Sequence, residues 1–267
     1  MLVLQIVRNL PLIGASRAEM LASIGFLAFV RLRSRYVGSL IGLGWSLLNP
    51  LSQIAIFSFV FSAVMKVPID KYPLYLMSAL LPWSFMSSSV MAAASSFVSR
   101  KHEFNHSLVS PILFAVSDIA VELLAFVIAY GVLLAVALAF FGVSLDMLAL
   151  LPLVLLPLVV ATFGAGIISA YLGALFADFS HILSIVLGIV FWLSPIVYHW
   201  TNAPEAVQPL IKYNPVSLLI SPPQILLHGG YLPSIELLLA NSLIALVVIW
   251  LAIRLHRRYF RTIIFYL

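Results

Sequence analysis

LALLPLVLLPLVVATFGAGIISAYLGAL, residues 148–175, carries no charged side chain from end to end. An uncharged apolar run longer than about 18 residues is long enough to cross a bilayer as a helix. Pro152 and Pro157 would argue against a helix in water, but transmembrane helices tolerate proline. Working outward, the hydropathy pattern predicts five more spans, at about 41–65, 72–99, 112–140, 182–198 and 234–253. The whole chain agrees: 63% of its residues are hydrophobic and 9% are charged, against about 45–50% and about 25% in soluble domains. So few charges cannot cover a water-facing surface of this size, which excludes a soluble enzyme.

The ends of the spans carry the punctuation. Lys66, Asp70 and Lys71, with Pro68 and Pro73, form a polar turn after the first span. Pro82-Trp83 inside the second span predicts a kink or partial break near its outer end. Asp118 and Glu122 lie four apart on one face near the start of the third span, at headgroup depth or facing protein. Residues 199–233 hold six prolines, and their apolar pieces are too short to cross. They read as surface or re-entrant helices broken by turns, which must be shielded by protein or face a wet cavity. Residues 20–30 are apolar but short and run into Arg31, Arg33 and Arg35. That pattern predicts an amphipathic helix lying along the interface.

Six spans put both termini on one side. Arg31, Arg33, Arg35, Arg100, Lys101, Arg254, Arg257, Arg258 and Arg261 fall on that side, and Lys66, Lys71 and Lys212 on the other. The excess of positive charge predicts that both termini are cytoplasmic. The net charge of +5 is thereby explained by topology and anionic lipid rather than by nucleic acid. The fold class expected is an all-α membrane protein with six spans.

No GxxxxGK[ST] phosphate loop, HExxH or GxSxG occurs, and there is no cysteine. ATP is therefore not held here by a phosphate loop. His102 and His106 are four apart but lack a third ligand, so no metal site is expected. The spans also lack the buried charges of many ion-coupled carriers, so a transporter of this kind would draw energy from a separate ATPase. Gly38 and Gly42 form a small-xxx-small pair at the entry to the first span, with Gly44 beside them, and predict close helix packing.

The run from Phe29 to Pro50, FVRLRSRYVGSLIGLGWSLLNP, resembles the opening of the ABC-2 type permeases that export polysaccharides such as O-antigen, capsule and teichoic acid. So do Pro82-Trp83 with flanking aromatics, the run FWLSPIVY from Phe191 to Tyr198, and Tyr213-Asn214-Pro215. Their order and spacing, from about 29 to 220, carry the resemblance. It implies a single ABC-2 transmembrane domain over 1–267: an interface segment at 1–36, a membrane region at 41–253 and a cytoplasmic tail at 254–267. It implies a multi-pass inner-membrane permease, a homodimer packed near Gly38, Gly42 and Gly44, and two separate ATPase subunits that bind ATP and Mg. The cargo implied is lipid-linked polysaccharide, with the path between the two membrane subunits.

In that frame, residues 100–110 are similar to the coupling helix that docks on the ATPase. Arg100, Lys101, Glu103 and Phe104, with Arg31, Arg33 and Arg35, are the expected docking residues. Pro195, Asn214 and Pro215 are expected at the re-entrant gate. One departure is the 176–181 loop, which lacks the arginines usual in relatives. Aromatic rings stack on the apolar faces of sugars, so Phe57, Phe61, Trp83, Phe85, Trp192 and Tyr198 are candidates for the path lining. Ordinary packing and an aromatic belt at the headgroups compete with that reading. Other functions stay open: an ABC-2 permease for a drug or lipid, a lipid-linked sugar transferase using Asp118 and Glu122, or a membrane scaffold.

Overall fold

The computed structural model describes residues 17–37, 42–64, 66, 71–100 and 110–266. The described chain is helical, and no strand occurs among the described residues. In order, the elements are α1 (Arg17–Tyr36), a 3-10 turn (Gly42–Gly44), α2 (Trp45–Ser58) continuing as a π-helix (Phe59–Val64), α3 (Tyr72–Ser99), α4 (Pro111–Phe141) and α5 (Leu145–Leu175). Then come α6 (Phe179–Trp192), a 3-10 turn (Trp200–Asn202), α7 (Gln208–Lys212), α8 (Pro215–Gln224) continuing as a π-helix (Ile225–Gly229), and α9 (Ile235–Tyr266).

Four helices, α3, α4, α5 and α9, are long and apolar enough to cross a membrane. They match the expected second, third, fourth and sixth spans. The expected fifth span is shorter than foreseen. α6 has 14 residues, about 21 Å at 1.5 Å per residue, against a hydrocarbon core of about 30 Å. It stops at Trp192 because the next residues, through Tyr198, form an irregular turn held by side chains. The expected first span is also subdivided, changing from 3-10 to α to π-helix between Gly42 and Val64.

Local chemistry sets the ends. Pro111 and Pro215 sit in the first turns of α4 and α8, where their missing N–H costs nothing. Gly142, at φ +68°, closes α4 in the left-handed region that glycine enters without penalty. The Lys71 ammonium donates to the Phe141 carbonyl (3.1 Å), tying the start of α3 to the end of α4. α3 runs through Pro82 as one continuous helix, so the partial break expected there does not occur. The arginines after 253 lie on α9, which runs as a helix to Tyr266.

α3 is the central helix and packs on α4 and α5, while α9 packs on α5. The close approaches fall on α5. A Cβ at Gly173 would stand 2.0 Å from the Ala94 carbonyl oxygen, and one at Gly164 would stand 3.0 Å from the backbone of α9. Such small-residue contacts let membrane helices approach closely. Two buried clusters result. One gathers Tyr72, Leu76, Leu80, Tyr130, Leu158 and Ile220. The other gathers Phe97, Ile112, Ile119, Tyr171 and Ile249, and Ile24 and Leu27 of α1 pack against it.

Candidate functional site: a cleft between α2, α3, α4 and α6

A cavity of about 550 Å³ lies among α2, α3, α4 and α6. α2 supplies Asn49, Gln53 and Phe57. α3 supplies Trp83, Ser84, Phe85, Ser87 and Ser88. α4 supplies Glu122 and Phe126, and α6 supplies Phe191 and Trp192. Asn49, Gln53 and Trp192 are exposed, so the cleft opens along α2 and α6. Serine hydroxyls fit on α3 because they bond back to their own helix: Ser87 and Ser88 both donate to the Ser84 carbonyl. Each oxygen keeps acceptor capacity for a partner in the cleft.

The aromatic side of the cleft holds two groups of rings. Phe191 stacks on Phe57 at 6.3 Å and touches Trp83 at 5.8 Å and Trp192 at 5.2 Å. Phe85 stacks on Phe126 at 4.9 Å. Of the six aromatics expected on the path, Phe57, Trp83, Phe85 and Trp192 line this cleft. Phe61 and Tyr198 do not. Phe61 lies behind Phe57, edge to face at 6.2 Å, and stacks on Tyr72 at 6.2 Å, and the Tyr198 hydroxyl donates to the Trp192 carbonyl at 2.6 Å. The six omitted Phe191, Phe126 and the polar lining. Asn49 and Gln53, two amides spaced four apart on an uncharged helix, were a legible signal for that lining.

The turn after α6 explains the proline- and asparagine-bearing motifs. Backbone without helix partners at membrane depth must find other donors. Tyr72 donates to the Val197 carbonyl (2.8 Å), and the Tyr75 hydroxyl is shared between the carbonyls of Pro195 (3.0 Å) and Tyr198 (2.8 Å). Gln224 also donates to the Pro195 carbonyl at 3.3 Å. Asn214 caps α8 by accepting from Val216 N–H (3.0 Å) and donates to the Leu193 carbonyl (3.3 Å) and Ser194 Oγ (3.2 Å). Pro195, Asn214 and Pro215 thus come together in one braced corner beside the end of α6. In this corner, burial lowers the pKa of His199, with His228 adding to the effect.

At the other end of α3 lies a smaller cavity of about 240 Å³, lined by Arg31, Ser34, Ala92, Asp118, Val121 and Glu122. Asp118 is buried and receives two hydrogen bonds from the Arg100 guanidinium, at 2.9 and 2.7 Å. Arg31 Nε lies 3.2 Å from the same carboxylate. Arg100 also stands over the Phe114 ring at 5.1 Å. Asp118 and Glu122 therefore face protein rather than the headgroups, and Arg100, expected on the docking surface, is turned inward. Arg33 is exposed. Lys101, Glu103, Phe104 and Gly38 lie outside the described residues, as does the Arg35 side chain. Gly42 has φ +54° with open space where a Cβ would stand, and Gly44 belongs to the same 3-10 turn. Within the chain, Gly42 serves the backbone conformation rather than a close contact.

Residues 24–227 match the family described as ABC-2 type transporter. Similar proteins include an O-antigen export system permease protein RfbA of Klebsiella pneumoniae, 31% identical over 201 residues, or 74% of this chain and 77% of that protein. Another is the O-antigen export system permease protein RfbA of Myxococcus xanthus, 27% identical over 83% of this chain and 86% of its own length. The polysialic acid transport protein KpsM of Escherichia coli is 23% identical over 85% of this chain and 89% of its own.

Proposed function

The chain belongs to the ABC-2 type transporter family, and from that membership we propose that it is the permease subunit of an ATP-driven exporter of lipid-linked, O-antigen-like polysaccharide. The observation that carries this reading is the cleft. Its aromatic faces suit the C–H faces of sugar rings, and its amides and hydroxyls suit their hydroxyls. A mixed lining with few ionised groups lets a polar chain slide without a deep trap. The similarity to O-antigen export permeases supports the same cargo.

In this reading the permease works as a homodimer with two ATPase subunits, which bind ATP and Mg. α2 with its π-helical extension and α6 complete six spans. Both termini lie on the cytoplasmic side of the inner membrane, and the segment at 100–110 docks the ATPase. Two features support the second copy. Asn49 and Gln53 are exposed on α2, where lipid would leave their amides unsatisfied. α6 contributes no buried residue within the chain. A partner apposed along α2 and α6 would cover both and close the cleft into a path.

The test is export in cells lacking the native permease, with the cognate ATPase present. Trp83→Ala, with export counted per assembled transporter because Trp83 is also buried in the core, should lower surface glycan, while a hydrolysis-dead ATPase should abolish it. Normal glycan without this permease, together with export of a drug or lipid, would favour a different cargo.

A further inference from the structure

The cleft and the smaller cavity share one lining residue, Glu122, and follow each other along the same faces of α3 and α4. On α3, Ser84 and Ser88 line the cleft and Ala92 lines the smaller cavity. These positions are four apart and form one stripe along the helix. On α4, Ala129, Ala125 and Glu122 line the cleft, and Glu122, Val121 and Asp118 continue into the smaller cavity. Small side chains on both stripes leave room between the helices. Glu122 borders both cavities and marks where one gives way to the other.

The inner end of this groove is covered by α1, through Arg31 and Ser34, three apart on one helix face. Asp118 holds α1 there, but its two arginines sit in different surroundings. The Arg100 side chain is 10% exposed and binds both carboxylate oxygens. The Arg31 side chain is 44% exposed and, among the described residues, lies 3.2 Å from Asp118 through Nε alone. Pulling Arg100 away would strand two buried charges. Releasing Arg31 costs little, because water replaces the carboxylate at once and Asp118 keeps its other partner. One bond is a permanent strut and the other is releasable.

We infer that Arg31 is the latch of an inner gate: its ion pair with Asp118 holds α1 over the groove, and release opens the groove toward Glu122 from the side on which α1 lies. The inference rests on reading the cleft as a transport path. Arg31 is a positioning residue that sets where α1 sits, and the exposed Arg33 face of α1 leaves the helix open to a pull from outside the chain.

The chain contains no cysteine, so single reporters are clean. Ala92→Cys sits in the inner cavity, and Arg257→Cys lies exposed outside the groove. Each is placed in the full transporter with its ATPase, in inverted membrane vesicles, and labelled with a membrane-impermeant maleimide. Adding Arg31→Gln should raise the labelling rate at Ala92→Cys about two- to fivefold, the size of one partly exposed ion pair. The rate at Arg257→Cys should stay constant, and Arg31→Lys should return the Ala92→Cys rate to near that of the parent. An unchanged rate with Arg31→Gln overturns the latch, as does a rise that Arg31→Lys does not reverse or that appears equally at Arg257→Cys. Glycan export is measured in parallel. Loss of the cargo reading with the labelling response intact leaves the latch standing, and normal export without the response removes only the latch.

Discussion

Arg100, just past the end of α3, and Asp118, in the third turn of α4, meet through two parallel hydrogen bonds of 2.9 and 2.7 Å with both side chains almost out of solvent. A bidentate guanidinium–carboxylate pair is strong and directional. It fixes the two ends that bracket residues 101–109, the segment proposed to meet the ATPase.

Asp118→Ala should therefore cost about 3–5 kcal/mol, because it leaves the Arg100 charge buried without its partner. Thermal unfolding of the detergent-purified permease measures this. The double change Arg100→Met with Asp118→Leu should recover most of the loss, since replacing both charges removes the desolvation penalty as well. A single variant that melts like the parent would mean that the pair contributes nothing net.

Gly173→Ala should weaken the fold sharply, by more than about 2 kcal/mol, because the new methyl would stand 2.0 Å from the Ala94 carbonyl oxygen and α3 and α5 would have to part. Gly131→Ala is the control. Nothing stands within 4 Å of its added Cβ, so stability should hold or rise by up to about 1 kcal/mol from helix propensity. Equal melting temperatures for the two variants would contradict the close approach.

Phe57 and Phe61 should separate transport from packing. Phe57 lines the cleft, so Phe57→Ala should leave assembly intact and slow glycan export about three- to tenfold, the worth of one lost stacking contact. Phe61 stacks on Tyr72, so Phe61→Ala should cost about 1–2 kcal/mol of stability. Its export per assembled transporter should stay unchanged. The reverse pattern would place Phe61 rather than Phe57 on the path.

Topology is checked with single cysteines and an impermeant maleimide on intact cells. Ser144→Cys and Asn202→Cys, both at exposed positions, should label from outside. Ser34→Cys and Arg257→Cys should not, following the excess of Lys and Arg on the proposed cytoplasmic face. Labelling of Ser34→Cys from outside would reverse the orientation.

The long apolar runs determined by themselves that this is a helical membrane protein, and roughly where α3, α4 and α5 begin and end and where α9 begins. Lipid offers no hydrogen bonds, so an uncharged run of that length has one backbone solution available within a single segment. Prolines at helix starts and Gly142 at a helix end were readable for the same local reason. The family was legible as well, because its motifs at 29–50, 191–198 and 213–215 fall at junctions between helices.

Which side chains share a cavity was decided only by the tertiary structure. Phe57 and Phe61 are four apart and would share a face of a uniform α-helix. The two rings do meet edge to face at 6.2 Å, yet Phe57 lines the cleft while Phe61 stacks on Tyr72. Asp118 reads in sequence as a carboxylate near a membrane edge. Two guanidiniums, from Arg31 and from Arg100, turn it into the buried hub between α1, α3 and α4. Pro195 and Asn214 are distant in sequence, yet the corner they build depends on Tyr72, Tyr75 and Gln224 arriving from α3 and α8. Hydropathy is a property of each segment alone. The direction in which a side chain points, and the partner it meets, depend on how helices rotate against one another, and packing sets that rotation.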